Sequence, residues 1–287
     1  MTSPMSEIVI NYACVRERLG MDIFFYRCAE LGLKNVSIWG DETARLGFDR
    51  TDALLKETGL SVLGYNRAGP LVAGDEAGRA SLEENARREI EIAAALGADH
   101  VMVFTGGLAQ GSRDLAEARV EVAESITRLA AFAGEAGVKL ALEPLHPMLA
   151  GDRTVLCTMT EANDLCDQLG QGVGLVIDAY HVWWDREVWA QIARAGRRDR
   201  ILGFHVNDWL IPTKDVLRDR GMMGDGVIDL PALERAVRQA GYRGPVEVEI
   251  FSDYWWSQDS ELVMRTAMRR CREIFGLDPA RSGLSPV

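Results

Sequence analysis

Short runs of apolar, β-branched residues recur eight times along the chain, and a longer segment follows each run. In the longer segments apolar residues lie three and four positions apart, which is the spacing of an amphipathic helix. The short runs are continuously hydrophobic, as expected of parallel strands that are buried on both faces. The alternation therefore predicts βα units around a parallel sheet. The predicted strands are residues 7–13, 35–40, 61–68, 100–107, 139–145, 173–181, 201–208 and 245–251.

The number of repeats favours closure into one barrel. Barrels of eight βα units commonly occupy about 250 residues, and this chain has 287. Glycines precede several predicted strands, where they would end the helices over residues 82–98, 116–137 and others. An open doubly wound sheet is the rival, but the sequence contains no GxGxxG after its first strand and no GxxxxGK[ST]. We predict an α/β fold, a single (β/α)8 TIM barrel over residues 1–287, with residues 280–287 as a flexible tail.

Charge and cysteine content bear on partners and compartment. The formal net charge is −11 and the isoelectric point is near 5.0, which disfavours binding to nucleic acid or to anionic membranes. The five cysteines include no CxxC pair, and no apolar run reaches the roughly 18 residues of a membrane span. Neither a signal peptide nor a disulfide framework is apparent. We expect a cytoplasmic protein with a small-molecule substrate.

Polar residues collect at the ends of the last four predicted strands. Barrel enzymes build their sites at the carboxyl ends of strands, and three of the four histidines lie at such ends. Any one of these histidines is more often a core or surface residue than a ligand, but their joint placement favours a site. The four ends read Glu143-Pro-Leu-His146, Asp178-Ala-Tyr-His181, His205-Val-Asn-Asp208 and Glu247-Val-Glu249.

Carboxylates at the inner mouth of a barrel need a counter-charge, because an unpaired buried charge is costly. A divalent cation supplies one. Three carboxylates and one imidazole form an oxygen-rich donor set, which suits Mn²⁺ best among the candidates and also admits Mg²⁺, Co²⁺, Fe²⁺ or Zn²⁺. The alternative is a carboxylate network neutralised by arginines such as Arg67 or Arg218. The residues alone leave both open.

The order of several motifs resembles the xylose isomerase-like barrel superfamily. The carriers are LALEPLH (140–146), LVIDAYHVWWD (175–185), FHVNDW (204–209), RGMMGDGVIDLPALERAV (220–237) and GYRGPVEVEIFS (241–252). The resemblance covers nearly the whole chain and is strongest from Lys139 to Phe251. It points to the branch of sugar-phosphate isomerases and epimerases, ketose 3-epimerases and inosose dehydratases.

This resemblance implies one divalent metal ion and a set of roles for individual residues. The ligands would be Glu143, Asp178, His205 and Glu249, with Glu249 preferred over Glu247 because it lies nearer the strand end. His181 would contact substrate oxygens, since it stands three residues after the metal-binding Asp. His146 is similar to a histidine of relatives that act on 3-keto-glycosides, including the catalytic subunits of C-glycoside deglycosidases.

Further contacts are expected from the loops that follow strands six to eight. Trp183 and Trp184 would form an apolar wall against the substrate, although such residues also serve as loop anchors or subunit contacts, and a homo-oligomer or a small partner subunit would use them in that way. Asp208 and Arg218 are expected to bind the substrate. Arg218 and Arg220 lie in one loop, and either could contact substrate hydroxyls or a phosphate.

Three functions are compatible with these residues. The first is metal-dependent enolisation in a sugar isomerase or epimerase, with Glu143 and Glu249 as base and acid. The second is β-elimination from a 3-keto-glycoside by a lyase, with His146 as the base. The third is a non-catalytic sugar-binding or partner subunit. Metal-dependent hydrolysis uses the same ligand types and is separated only by its products.

Overall fold

Eight parallel strands close into a barrel, and the fold class predicted from the sequence is confirmed. The computed structural model describes residues 8–277, so the predicted tail at 280–287 lies outside the described residues. The order around the barrel is β1-β10-β7-β6-β5-β4-β3-β2, with β1 also pairing with β2. The barrel strands are β1 (Ile8–Asn11), β2 (Asn35–Trp39), β3 (Ser61–Ala68), β4 (His100–Val103), β5 (Lys139–Leu142), β6 (Val173–Asp178), β7 (Ile201–Val206) and β10 (Val246–Val248).

Helices surround the barrel and cover the outer faces of its strands. Every residue of β4 and β6 is buried, because one face packs in the barrel interior and the other against helices. Gly59 and Gly137 end two of the helices in the left-handed conformation. The helices are α1 (Met21–Glu30), α2 (Gly40–Leu46), α3 (Phe48–Thr58), α4 (Glu76–Ala95), α5 (Leu115–Ala136), α6 (Met159–Leu169), α7 (Ala179–Val182), α8 (Val188–Arg197), α9 (Leu230–Gln239), α10 (Asp253–Ser257) and α11 (Ser260–Phe275).

Several predicted strands end earlier than expected because side chains at their ends begin helical turns. The sixth was predicted to reach residue 181, but Asp178 accepts a hydrogen bond from the Tyr180 backbone N–H at 2.8 Å and starts the short helix α7. His146 begins a 3-10 turn in the same way, by accepting from the Met148 N–H at 3.2 Å. These turns hold polar side chains at the carboxyl face of the barrel.

A small antiparallel ladder covers part of this face. It joins β8 (Asp208–Trp209) to β9 (Arg220–Gly221), so the loop between them folds back toward the strand ends. The Arg220 backbone N–H also donates to the Phe251 carbonyl at 3.0 Å. Arg220 is thereby fixed above the ends of β6, β7 and β10. Among the described residues, no helix combines the length and apolar character needed to cross a bilayer.

Candidate metal centre

Four side chains from neighbouring strands converge at the carboxyl end of the barrel. Glu143 directly follows β5, Asp178 ends β6, His205 lies on β7 and Glu249 directly follows β10. One ligand atom from each lies within 4.8 Å of those of the other three. The pairing register explains this, since Asp178 is the cross-strand partner of His205.

The donor atoms in this cluster fit a bound cation. Glu143 Oε1 and His205 Nδ1 are buried without a hydrogen-bond partner, and they lie 3.6 Å apart. His205 Nδ1 is 3.8 Å from Glu249 Oε2. These separations are too long for hydrogen bonds, but two ligands of one ion, each about 2.1 Å from it, are typically about 3 to 3.5 Å apart. Buried atoms of this kind require a partner that the chain itself does not supply.

Glu247 has a different position from Glu249, which bears on the choice of ligand at β10. Glu247 is the cross-strand partner of His205, and its Oε2 lies 3.4 Å from His205 Nε2. The Asn11 side-chain amide donates to the other Glu247 oxygen at 2.8 Å. Glu247 therefore faces the nitrogen of His205 that points away from the cluster, the arrangement in which a carboxylate orients a metal-binding imidazole.

Arg220, and not the neighbouring Arg218, is the arginine of this loop that reaches the cluster. Its guanidinium lies 2.9 Å from Asp178 Oδ2 and 2.9 Å from Glu249 Oε2, and the residue is 6% exposed. Arg218 instead forms an ion pair with Asp253 at 2.7 Å, and its side chain is 56% exposed on the outer wall of the cavity. The glycine-rich loop after Arg220 signalled a turn at this point, but not which arginine turns inward.

Burial and charge shift the pKa values of the cluster in opposite directions. Burial raises the pKa of Glu249 to about 7, although Arg220 lowers it, and burial also raises the pKa of Glu143. For Asp178, burial is outweighed by Arg220 and the neighbouring histidines, so its pKa is lowered. For His205, burial is outweighed by Glu247 and the other carboxylates, so its pKa is raised well above its ordinary value. The four ionisable groups are close together, so the charge of each one shifts the pKa of the others.

His181 lies beside the cluster between two hydrogen-bond donors. The His146 backbone N–H donates to His181 Nδ1 at 3.1 Å, and the Arg220 guanidinium, which can only donate, lies 3.1 Å from His181 Nε2. A neutral imidazole has one acceptor nitrogen, so it cannot accept from both groups at once. Nε2 also lies 3.8 Å from Asp178 Oδ2, and burial lowers the pKa of His181 to about 3, so the ring is neutral at pH 7.

The structure places His146 and the predicted tryptophan wall elsewhere. The His146 ring stacks on Trp209 with a centroid distance of 4.7 Å, and its Nδ1 accepts from the Met148 N–H. Trp184 contacts the His146 ring edge at 5.7 Å, and Trp183 packs against Trp209 at the same distance. Within the described residues, none of His146, Trp183 and Trp184 lines the cavity above the cluster. They form an aromatic cluster behind it.

Asp208 also has a structural position in place of the expected substrate contact. Its Oδ2 accepts from the backbone N–H groups of Gly224 and Gly226 at 2.8 and 2.9 Å, and its Oδ1 accepts from those of Trp209 and Ile228. Four backbone donors occupy both oxygens, so this carboxylate holds the loop after Arg220 and has no free oxygen directed at a substrate.

The cavity above the cluster has a volume of about 630 Å³. Glu143, His181, Arg220 and Glu249 line it, and its aromatic residues are Trp39, Phe104, Phe251 and Trp256. Trp39 is the last residue of β2, outside the four strand ends that the sequence pattern singled out, so its position in the site was not apparent from that pattern.

The model of one protein family matches most of the chain. The description of that family is Xylose isomerase-like TIM barrel, and the match covers residues 20–274. The chain belongs to the xylose isomerase-like TIM barrel family. The resemblance inferred from its strand-end motifs is therefore confirmed.

Curated relatives of this family member are enzymes. An inosose isomerase of Bacillus velezensis is 29% identical over 53% of this chain and 53% of its own length, so the match spans about half of that relative. An L-ribulose-5-phosphate 3-epimerase, UlaE, of Salmonella typhi is 28% identical over 78% of this chain and 79% of its own. These relatives support the prediction of an enzyme.

Solved structures show the same barrel. The protein SMc04130 of Sinorhizobium meliloti 1021 is 43% identical, with a TM-score of 0.92 over 94% of this chain and 99% of that one. The IolI protein, whose crystal structure has a bound zinc atom, is 21% identical, with a TM-score of 0.79 over 94% and 98% of the two chains. At that identity the second likeness bears on the fold alone.

Proposed function

We propose that this enzyme is a divalent-metal-dependent sugar isomerase or epimerase that acts by enolisation of a hydroxy-carbonyl substrate. The observation that carries the proposal is the convergence of Glu143, Asp178, His205 and Glu249 donor atoms within 4.8 Å. The names of the relatives, an inosose isomerase and a ribulose-phosphate epimerase, support the same chemistry.

Glu143, Asp178, His205 and Glu249 would hold the ion, and we propose Mn²⁺ because three of these four donors are carboxylates. The bound zinc of the IolI structure leaves zinc as the alternative. When bound, a divalent ion supplies Lewis-acid polarisation of a carbonyl and of the hydroxyl next to it. Asp178 is held for this purpose by the Tyr180 N–H and the Asn207 amide at 2.8 and 2.9 Å.

We assign proton transfer to Glu143 and Glu249. Enolisation removes a proton from the carbon next to the carbonyl and returns one, so it needs a base and an acid near neutral pKa. Burial raises the pKa of both glutamates, that of Glu249 to about 7. His181 lines the cavity and would form a hydrogen bond with a substrate hydroxyl, and Arg220 would stabilise negative charge that develops on the substrate oxygen.

The lyase alternative has less support. Elimination from a 3-keto-glycoside requires a base that reaches the substrate, and His146 was the candidate. Its ring stacks on Trp209 outside the cavity wall, and Nδ1 is occupied by the Met148 N–H. A non-catalytic sugar-binding subunit would have no need of two buried glutamates with raised pKa values beside a cation site.

Exchange of substrate hydrogen for deuterium next to the carbonyl tests the proposal directly. Protein loaded with Mn²⁺ is incubated in D₂O with keto sugars and 3-keto-glycosides, and deuterium next to the carbonyl is followed by NMR. We expect exchange that a chelator abolishes and that Glu143→Gln and Glu249→Gln each remove. Glu273→Gln, on the exposed face of α11, is the matched control and should retain exchange. Absence of exchange with every substrate, or exchange that survives chelation, refutes the proposal.

All five cysteines are free and buried, which suits the reducing cytoplasm that we propose as the compartment.

A further inference from the structure

Arg67 is a charged residue of the cavity wall that the metal centre does not use. It lies near the carboxyl end of β3, and its guanidinium carbon is 3.7 Å from the Phe104 ring centre and 5.8 Å from that of Trp39. Stacking occupies the flat face of a guanidinium and leaves the N–H donors at its edge available. Within residues 8–277, Arg67 makes neither an ion pair nor a side-chain hydrogen bond.

A cation in this position is costly without a counter-ion. Burial and the like charge of Arg153 lower the pKa of Arg67 and outweigh the opposite effect of Asp41 and Glu143, neither of which forms an ion pair with it. Arg153 lines the same cavity, and its nearest carboxylate is Asp152 at 3.8 Å, whose side chain is 80% exposed. An exposed pair at that distance contributes little. Arg67 and Arg153 therefore form a cationic region whose charge is not balanced by a close carboxylate.

The other arginines of this cavity differ in having close partners. Arg16 pairs with Asp41 at 2.7 Å, Arg218 pairs with Asp253, and Arg220 lies against Asp178 and Glu249. A divalent ion and Arg220 together carry three positive charges, which balance the three carboxylates that would hold the ion. The fourth buried carboxylate, Glu247, faces His205 and accepts from Asn11, so the three carboxylate ligands are balanced without Arg67.

We propose that Arg67 and Arg153 form an anion subsite that binds a phosphate or carboxylate group of the sugar substrate. The inference rests on the proposed function, because it places the hydroxy-carbonyl end of the same molecule at Glu143 and Glu249. Edge-on guanidinium N–H groups suit the paired oxygens of either anion. The cavity volume of about 630 Å³ is within the range of small-molecule sites, roughly 300 to 1,000 Å³.

Equilibrium binding tests the subsite without reference to turnover. Inorganic phosphate and acetate are titrated separately into the protein loaded with Mg²⁺, and heats of binding are measured. Losing a charged hydrogen bond should weaken binding of the favoured anion by about tenfold or more in Arg67→Gln and in Arg153→Gln. Arg16→Gln removes a charge from the same cavity but from an arginine with its own carboxylate, and should leave binding within about twofold.

Comparing the two anions shows which charged group of the substrate the subsite binds. Tighter binding of phosphate supports a sugar phosphate, and tighter binding of acetate supports a sugar acid. The subsite is refuted if neither anion binds, if the double variant Arg67→Gln with Arg153→Gln binds as well as the wild type, or if Arg16→Gln weakens binding as much as Arg67→Gln.

Kinetics distinguish failure of the subsite from failure of the proposed function. Deuterium exchange is measured with a neutral ketose, its terminal phosphate and the corresponding keto acid. We expect Arg67→Gln to raise KM for the charged substrates about tenfold or more while changing that for the neutral ketose less than about twofold. Equal losses for neutral and charged substrates overturn the subsite. Absence of exchange with all three overturns enolisation, while the anion titration still decides the subsite.

Discussion

Glu247 and Glu249 are two positions apart and chemically identical, but they have different surroundings and different expected roles. Glu249 faces the cluster, whereas Glu247 faces His205 Nε2 at 3.4 Å. We expect Glu247→Gln to weaken Mn²⁺ binding roughly 10- to 100-fold, the usual effect of removing a group that orients a ligand. Glu249→Gln should weaken binding further, since it removes a ligand. Calorimetric titration of Mn²⁺ into the two variants measures both effects.

A variant of Asn11 gives a second test of the same arrangement. Its amide donates to Glu247 at 2.8 Å and to Glu249 at 3.2 Å, so Asn11→Asp replaces a donor with an acceptor and should also weaken the ion's binding. If Glu247→Gln binds Mn²⁺ as tightly as the wild type, Glu247 does not orient His205 for an ion.

His146 allows elimination and enolisation to be separated at a single residue. Its ring stacks on Trp209 behind the cavity, so we expect His146→Ala to retain deuterium exchange and to lower the free energy of unfolding by about 1 kcal/mol, the value of an aromatic pair. Exchange by NMR and urea denaturation are measured on the same preparation. His146→Phe keeps the stacking and should recover part of the stability. Loss of turnover with the metal still bound would restore His146 as the base of a lyase.

At the scale of a structural element, the conformation of the loop after Arg220 depends on one carboxylate, that of Asp208. Asp208 accepts four backbone N–H groups, three of them from the segment 224–228. Each charged hydrogen bond contributes roughly 1.5 to 3 kcal/mol. We therefore expect Asp208→Ala to lower the free energy of unfolding by about 3 kcal/mol or more, and Asp208→Asn, which keeps one acceptor oxygen, to lower it less. Urea denaturation gives both values.

The effect should extend from stability to the site. Arg220 reaches Asp178 and Glu249 from this same loop, so loosening the loop should reduce exchange even though Asp208 does not line the cavity. Asp229→Ala, which removes the N-terminal cap of α9 a little further along the chain, is the matched control for a generally destabilised segment. Equal loss of exchange in both variants would argue against a specific role for Asp208.

The strand ends were predictable from the sequence, and the loops between them were not. The eight apolar runs predicted the eight barrel strands. The common location of Glu143, Asp178, His205 and Glu249 was predictable because parallel strands bring their carboxyl ends to one face of a barrel. The inward turn of Arg220 depends on β9 pairing with β8, a tertiary contact without a local signal. The position of Arg67 depends on its stacking with Phe104 and Trp39, which has no local signal in the sequence. Trp183 and Trp184 follow the short helix α7, which Asp178 caps.

At the scale of the whole molecule, the ion would join strands from one side of the barrel. The four residues that would hold it lie on or directly after β5, β6, β7 and β10, which are consecutive around the barrel. An ion that binds only the folded state adds to stability, by about 2.7 kcal/mol at a concentration one hundred times its dissociation constant. We therefore expect Mn²⁺ to raise the thermal midpoint in a concentration-dependent manner, and a chelator to reverse the rise.

The metal-free protein should nevertheless remain folded, which separates a catalytic ion from a structural one. Arg220 already lies 2.9 Å from both Asp178 and Glu249 and neutralises part of the cluster, and the barrel closes through strand pairing around its whole circumference. After chelation we expect a cooperative but lower thermal transition and unchanged far-ultraviolet circular dichroism, together with loss of exchange. Glu249→Gln should abolish most of the Mn²⁺-dependent rise, whereas Glu273→Gln, on the outside of α11, should keep it. If chelation unfolds the barrel, the ion has a structural role, and the loss of exchange would carry no information about catalysis.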